Sequence, residues 1–166
     1  MTPRQLGVAT ALGALVLDQA VKGVMLYGFG FADMARDVRI FVLPVFDLVM
    51  WKNAGISFGW FSSNSPAGIA GLITVELMVV AALGAWMWNA ARKPITIGLG
   101  LVIGGALGNL ADRFIHGWVA DFFFLHAFGW NFFACNPADI FISAGVLLLI
   151  YDSVVDSGVQ QGAGAG

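Results

Sequence analysis

Gly104-Gly105-Ala106-Leu107-Gly108-Asn109-Leu110-Ala111-Asp112-Arg113, continuing through Gly117-Trp118-Val119-Ala120-Asp121-Phe122, sets polar and charged residues at the end of an apolar run. Read as a helix, it places Gly100, Gly104, Gly108 and Asp112 four apart on one face, a spacing that lets a second helix backbone approach closely. Asn109 and Arg113 are also four apart. The glycines alone describe a packed membrane helix whose polar end meets water. The charges ask for more, because an ionisable group near the centre of a membrane helix costs roughly 2.5–3.5 kcal/mol on insertion scales.

The chain around this stretch has the composition of an integral membrane protein. Its 166 residues are 59% hydrophobic and 11% charged, with a mean hydropathy of +0.84, far more apolar than a soluble domain. A net charge of -2, with no basic cluster beyond Arg92-Lys93, excludes nucleic-acid binding and a polybasic lipid anchor. Cys135, the single cysteine, closes no internal disulfide and has no zinc-ligand spacing, so it reads as a small buried apolar residue.

Four apolar stretches, about 6–27, 67–91, 95–113 and 137–155, are long enough to cross a bilayer. The first starts after Arg4 and is followed by no small-residue cleavage pattern, so it reads as a span and not a cleaved signal peptide. Asp18, Gln19 and Lys22 interrupt its second half. Asp18 and Lys22 stand at i and i+4, acid first, and are expected to form an ion pair that snorkels to the surface. Glu76, the only glutamate, sits inside the second span and reads as a protonated or hydrogen-bonded packing residue. Residues 1–156 form one membrane domain, and the Gly-rich tail 157–166 reads as flexible.

Segments 28–66 and 114–136 do not span. The first carries Asp33, Arg36, Asp37 and Arg39, then a β-branched and aromatic run, Ile40 to Trp51, that reads as strand. Lys52-Asn53-Ala54-Gly55-Ile56-Ser57-Phe58-Gly59 follows, by itself a turn, with Trp51 and Trp60 suited to the headgroup level. This β-element is expected to lie against the membrane. Ser62-Ser63-Asn64-Ser65-Pro66 supplies start signals for the second span. The second segment is rich in Phe and Trp, with Trp118 and Trp130 as interfacial anchors. His116 and His126 lack partners at metal-ligand spacing and read as solvated or hydrogen-bonded groups. Asn136-Pro137-Ala138-Asp139 has the form of an ordinary helix start.

An even number of spans puts both termini on one side, and charge counting does not say which. It does put four polar clusters at one membrane face: Asp18 with Lys22, the Asn53 turn, Asn109 to Asp121, and Asn136 with Asp139. Two carboxyls brought together in a poorly hydrated site share a proton. One can then act as base on a water while the other polarises a carbonyl, with no metal, no cofactor and no Ser, Cys or His nucleophile. A small transporter or lipid-binding protein is the rival class. It predicts polar residues along the whole membrane depth and an internal repeat, and neither pattern is present apart from Glu76.

These pieces together resemble the bacterial lipoprotein signal peptidases, or type II signal peptidases. The resemblance rests on Asp18-Gln19-x-x-Lys22, Asn53-Ala54-Gly55-x-x-Phe58-Gly59, Gly104 to Leu110 with Asp112-Arg113, Gly117-x-Val119-x-Asp121-Phe122, and Asn136-x-Ala138-Asp139. Cys135 and Pro137 stand where the family more often has Phe and an apolar residue. The resemblance implies an all-α inner-membrane protein, with four transmembrane helices, a small periplasmic β-element, cytoplasmic termini and an active site towards the periplasmic face. By motif position Asp121 and Asp139 look like a catalytic aspartate dyad. Asp18, Lys22, Asn53, Gly55, Asn109, Asp112, Arg113 and Asn136 look like groups that bind substrate or support the dyad, with Lys22 and Arg113 partnering Asp18 and Asp112 in an order the sequence leaves open. The implied substrate is a prolipoprotein carrying diacylglycerol on its cysteine, drawn from membrane lipid and cut just before that cysteine. A monomer, inhibited by globomycin-type cyclic peptides, is the expectation.

Overall fold

The computed structural model describes residues 1–35, 38–55 and 66–163, with side chains to residue 155. The readings placed on Arg36, Asp37, Ile56, Ser57, Phe58, Gly59, Trp60 and the Ser62–Ser65 start signals lie outside the described residues. The elements are α1 (Pro3–Gly23), β1 (Ile40–Leu43), β2 (Phe46–Asn53), α2 (Pro66–Asn89), α3 (Lys93–His116), β3 (Val119–Ala127), β4 (Trp130–Cys135) and α4 (Pro137–Ala163). One π-helical turn, Val24–Gly28, extends α1. Among the described residues, four helices are long and apolar enough to cross a membrane: Pro3–Gly28, Pro66–Asn89, Lys93–His116 and Pro137–Val155.

Two elements differ from the sequence reading. The single strand expected over Ile40 to Trp51 is a hairpin, turning at Pro44-Val45 between Leu43 and its partner Phe46. Proline lacks the N–H that a continuing ladder needs and has the φ of a turn, so it divides the run. The aromatic segment after α3, read only as interfacial, forms β3 and β4. Phe128 and Gly129 both adopt positive φ, 53° and 80°, at the tip between them, the combination a tight two-residue hairpin turn requires. The two non-spanning segments therefore merge into one antiparallel sheet in the order β1-β2-β3-β4, so the small β-element expected beside the four helices is a four-stranded sheet. α4 continues as helix from Pro137 through Ala163. Extending an existing helix adds one hydrogen bond per residue without a new nucleation cost.

α3 is the central helix, with α1, α2 and α4 each packed on it. Its glycines set how closely. A Cβ added at Gly104 would press into the Ala11 carbonyl and lie 2.7 Å from Ala14 Cβ, and one at Gly108 would press into the Asp18 carboxylate. Contact of this kind between backbones is the main source of attraction between helices in lipid. Gly104→Ala is expected to cost about 1–3 kcal/mol through overpacking, read as a lower thermal midpoint of the protein in detergent. An unchanged midpoint would show that α1 can withdraw from α3 freely.

On the other side, α2 buries only Leu72 and Met87 and stands loosely against α3. The sheet is tied to the bundle by an apolar cluster of Met25, Leu26, Phe31, Met50, Ala120 and Phe122. Because side chains alternate along a strand, burying Ala120 and Phe122 on this face turns Asp121 to the opposite one.

Candidate active site

Asp121 projects from β3 and Asp139 from the first turn of α4. The side chain of Asn136 joins them. Its Nδ2 donates to Asp121 Oδ1 at 2.6 Å, and its Oδ1 accepts from the Asp139 N–H at 3.2 Å. The Asn136 N–H donates in turn to Asp139 Oδ2 at 3.1 Å. That reciprocal pattern is a capping arrangement between the N-cap and third helical residue. The ordinary helix start read from Asn136-Pro137-Ala138-Asp139 is thus present, and the same asparagine spends its remaining amide donor on the other aspartate.

Two further amides complete the set. Asn53 Nδ2, from β2, donates to Asp121 Oδ2 at 3.0 Å, and its own Oδ1 is held by the Gly55 N–H at 3.2 Å. Asn109 Nδ2, from α3, donates to Asp139 Oδ1 at 3.0 Å. Every carboxyl oxygen of the pair therefore accepts an N–H donor. Asp121 is 4% exposed. Burial, chiefly, and the charge of Asp139 push its pKa from the usual 3.8 up to about 6, although the Asn53 and Asn136 amides and the Lys22 charge oppose the rise.

Beneath these amides lies a buried ion cluster. Lys22 Nζ sits 3.0 Å from Asp18 Oδ2, 2.9 Å from Asp112 Oδ2 and 3.1 Å from Asn109 Oδ1. The Asp18–Lys22 pair does not snorkel to the surface: the two side chains are 0% and 2% exposed. The helical spacing was right about the pair, but α3 crosses over it at Gly108 and brings a second carboxylate, Asp112. Each of these carboxylates reaches the residue just before a dyad aspartate. Asp112 Oδ2 accepts the Ala120 N–H at 3.1 Å, and Asp18 Oδ1 accepts the Ala138 N–H at 2.8 Å. Lys22, by anchoring the Asn109 carbonyl, orients its NH₂ end toward Asp139.

Not every expected partner is here. Arg113 does not join Asp18 or Asp112, and its Nη1 lies 2.6 Å from Glu76 Oε1 on α2. Of the two readings of Glu76, protonated or hydrogen-bonded, the structure shows the hydrogen bond, made to an arginine of α3 as an ion pair. Sequence reasoning also missed Gln19 as a working part, although its Nε2 is 3.1 Å from Asp18 Oδ2, Asp112 Oδ1 and the Gly108 carbonyl oxygen. Its place beside Asp18 was the available signal. Of the histidines, His116 Nε2 meets the Tyr27 hydroxyl at 2.9 Å, and His126 lies 3.1 Å from Asp47, away from the dyad.

A cleft of about 610 Å³ opens beside Asp139, between Phe46, Phe123, Leu125, Phe133 and Cys135 of the sheet and Asp139, Ile140, Ser143, Ala144 and Leu147 of α4. The α4 residues follow one helix face for about two turns away from Asp139, so the cleft runs from that carboxyl along a span. Cys135 is half-buried in its wall and not sealed in a core. Burial and the two aspartates push its thiol up to about 11, so it is no thiolate nucleophile at neutral pH.

A family model described as Signal peptidase (SPase) II matches residues 10–155. A lipoprotein signal peptidase of Rhodopseudomonas palustris is 46% identical over 159 residues, which cover 93% of this chain and 95% of that protein. One from Nitrobacter hamburgensis is 43% identical over 159 residues, 92% of this chain and 94% of that protein. In fold, the chain is similar to a solved bacterial membrane enzyme, with a TM-score of 0.75 at 24% identity over 91% of this chain and 88% of that one.

Proposed function

The chain belongs to the signal peptidase II family, and on that premise we propose that it is an aspartic endopeptidase that cleaves diacylglyceryl-modified prolipoproteins just before the lipidated cysteine. The observation that carries this reading is the pair Asp121 and Asp139, linked through Asn136, with Asp139 lining the end of an apolar cleft. Burial, which raises the Asp121 pKa against the pull of its amide donors, and the neighbouring charge of Asp139 favour two carboxyls that hold one proton between them. The ionised member takes a proton from water, whose oxygen attacks the scissile carbonyl carbon. The protonated member hydrogen-bonds the carbonyl oxygen as charge develops there. Collapse of the tetrahedral intermediate breaks the C–N bond, and the proton held by the dyad passes to the leaving amine.

The cleft supports the choice of substrate. Its walls along Ile140, Ala144 and Leu147 suit acyl chains on the substrate cysteine, with the scissile bond at the Asp139 end. The chain is a multi-pass membrane protein. On this reading it lies in the bacterial inner membrane with cytoplasmic termini and the dyad towards the periplasmic face, works as a monomer, and binds globomycin-type peptides in the substrate's place. The test is incubation of the purified protein in detergent with diacylglyceryl-modified and unmodified prolipoprotein, with products identified by mass spectrometry. Cleavage before the lipidated cysteine, retained with a metal chelator and blocked by globomycin, is expected. Loss of cleavage to chelator with recovery on adding metal, or equal cleavage of the unmodified chain, would overturn the reading.

A further inference from the structure

The ion pair between Glu76 and Arg113 is left unused by the mechanism above, and its position is costly. Glu76 lies well inside α2, a span of mean hydropathy 2.0, where a carboxylate is expensive unless it is paired. α2 has little other packing to hold it, because only Leu72 and Met87 are buried on it. The pair is also incomplete. Glu76 Oε2 and Arg113 Nε are both buried without a hydrogen-bond partner among the described residues, and the Arg113 side chain is 10% exposed. A pair present for stability alone would gain from a two-pronged contact that satisfied these atoms. This one joins a single arm, Nη1, to Oε1.

The arm that Glu76 takes decides what is left. Nη1 lies on the Cδ side of the planar guanidinium, so holding it leaves the opposite edge, Nε–H with Nη2–H, as two parallel donors. That edge belongs to a residue one helical turn beyond Asn109, which donates to Asp139. We propose that Glu76 is a positioning residue: it fixes the Arg113 guanidinium so that its Nε/Nη2 edge receives a main-chain carbonyl of the substrate next to the scissile bond. The inference rests on the peptidase reading. It adds a helix, α2, to the substrate site and gives the chain's one glutamate a role. A peptide carbonyl suits the edge because it accepts two N–H donors at once and brings no second charge into the membrane.

The test measures kcat and KM on diacylglyceryl-modified prolipoprotein for wild type, Glu76→Gln, Arg113→Gln and the double variant, with thermal midpoints for all four. Glu76→Gln keeps the shape and loses the charge that fixes the fork. It is expected to raise KM by about tenfold, equivalent to roughly 1.4 kcal/mol, with kcat within about twofold. The double variant is expected to match Arg113→Gln, because a residue acting through another adds nothing once that other is gone. An unchanged KM in Glu76→Gln, losses that add in the double variant, or losses that follow the thermal midpoints without a KM effect would each overturn the proposal while wild-type turnover leaves the peptidase reading standing. Absence of turnover in wild type would overturn both together.

Discussion

Asp121→Asn and Asp139→Asn are each expected to lower turnover by on the order of 10⁴-fold or more, with the protein still folded. Each change preserves shape and removes one of two carboxyls that have to exchange a proton with water and substrate. Neither can replace the other, since the Asn136 bridge holds them in different environments, one on a strand and one in a helix's first turn. The Asp121 variant carries a second, independent readout. The folded-state pKa of about 6 lies above the usual 3.8, so between these values the folded protein binds a proton that the unfolded chain has released. This contribution to stability is present below about pH 4 and is lost as pH rises through 6, on the order of 3 kcal/mol in all. Asp121→Asn removes the slope, so the wild-type thermal midpoint should fall relative to the variant's between pH 4 and 7. The same ionisation sets the alkaline limb of kcat/KM near pH 6. The limb in kcat should lie higher, because an apolar substrate in the cleft dries Asp121 further. Parallel midpoint curves for the two proteins would show that Asp121 is better hydrated than its burial implies.

Replacing Lys22 is expected to have the next largest effect, and for a different reason. Lys22→Met leaves two carboxylates, Asp18 and Asp112, buried without their common cation. Stranding a buried charge typically costs about 3–5 kcal/mol, a large share of the roughly 5–15 kcal/mol that holds a protein folded. The variant should accumulate poorly and unfold at a markedly lower temperature. Adding Asp112→Asn removes one stranded charge and should recover part of the stability. It should not recover turnover, because the Asn109 carbonyl still lacks its anchor and the amide facing Asp139 is free to rotate. Lys22→Arg is not expected to rescue, since a planar fork does not fit a site built for one compact ammonium. Turnover returning in step with stability would mean that the cluster supports the fold only and does not align the dyad.

What was legible in the sequence was local or compositional. Apolar runs of sufficient length set the spans because each helix satisfies its own backbone in lipid and needs no partner to do so. The glycines four apart predicted a close helix crossing, since spacing on one helix defines its face. The motif residues Asp121, Asp139, Asn53, Asn109 and Asn136 were all named, and the fold brings them into one network. Partner choice was not legible. An i, i+4 pair in α1 states what that helix offers, while whether it reaches water or is covered depends on where α3 crosses. So the Asp18–Lys22 pair became a buried cluster only when Gly108 allowed Asp112 in.

The strands were hidden for a related reason. An aromatic-rich segment such as Phe122 to Phe133 packs equally well against lipid or against a neighbouring strand, and only the pairing with β2 decides between them. Arg113 shows the same division: its charge was readable, but Glu76, 37 residues away, was chosen by the placement of α2. Membrane residence and the identities of the polar residues were determined by the sequence itself, through transfer free energy and helical period. Tertiary structure alone decided which polar group satisfies which, because in a low-dielectric interior each buried charge pairs with whatever the fold brings within about 3 Å.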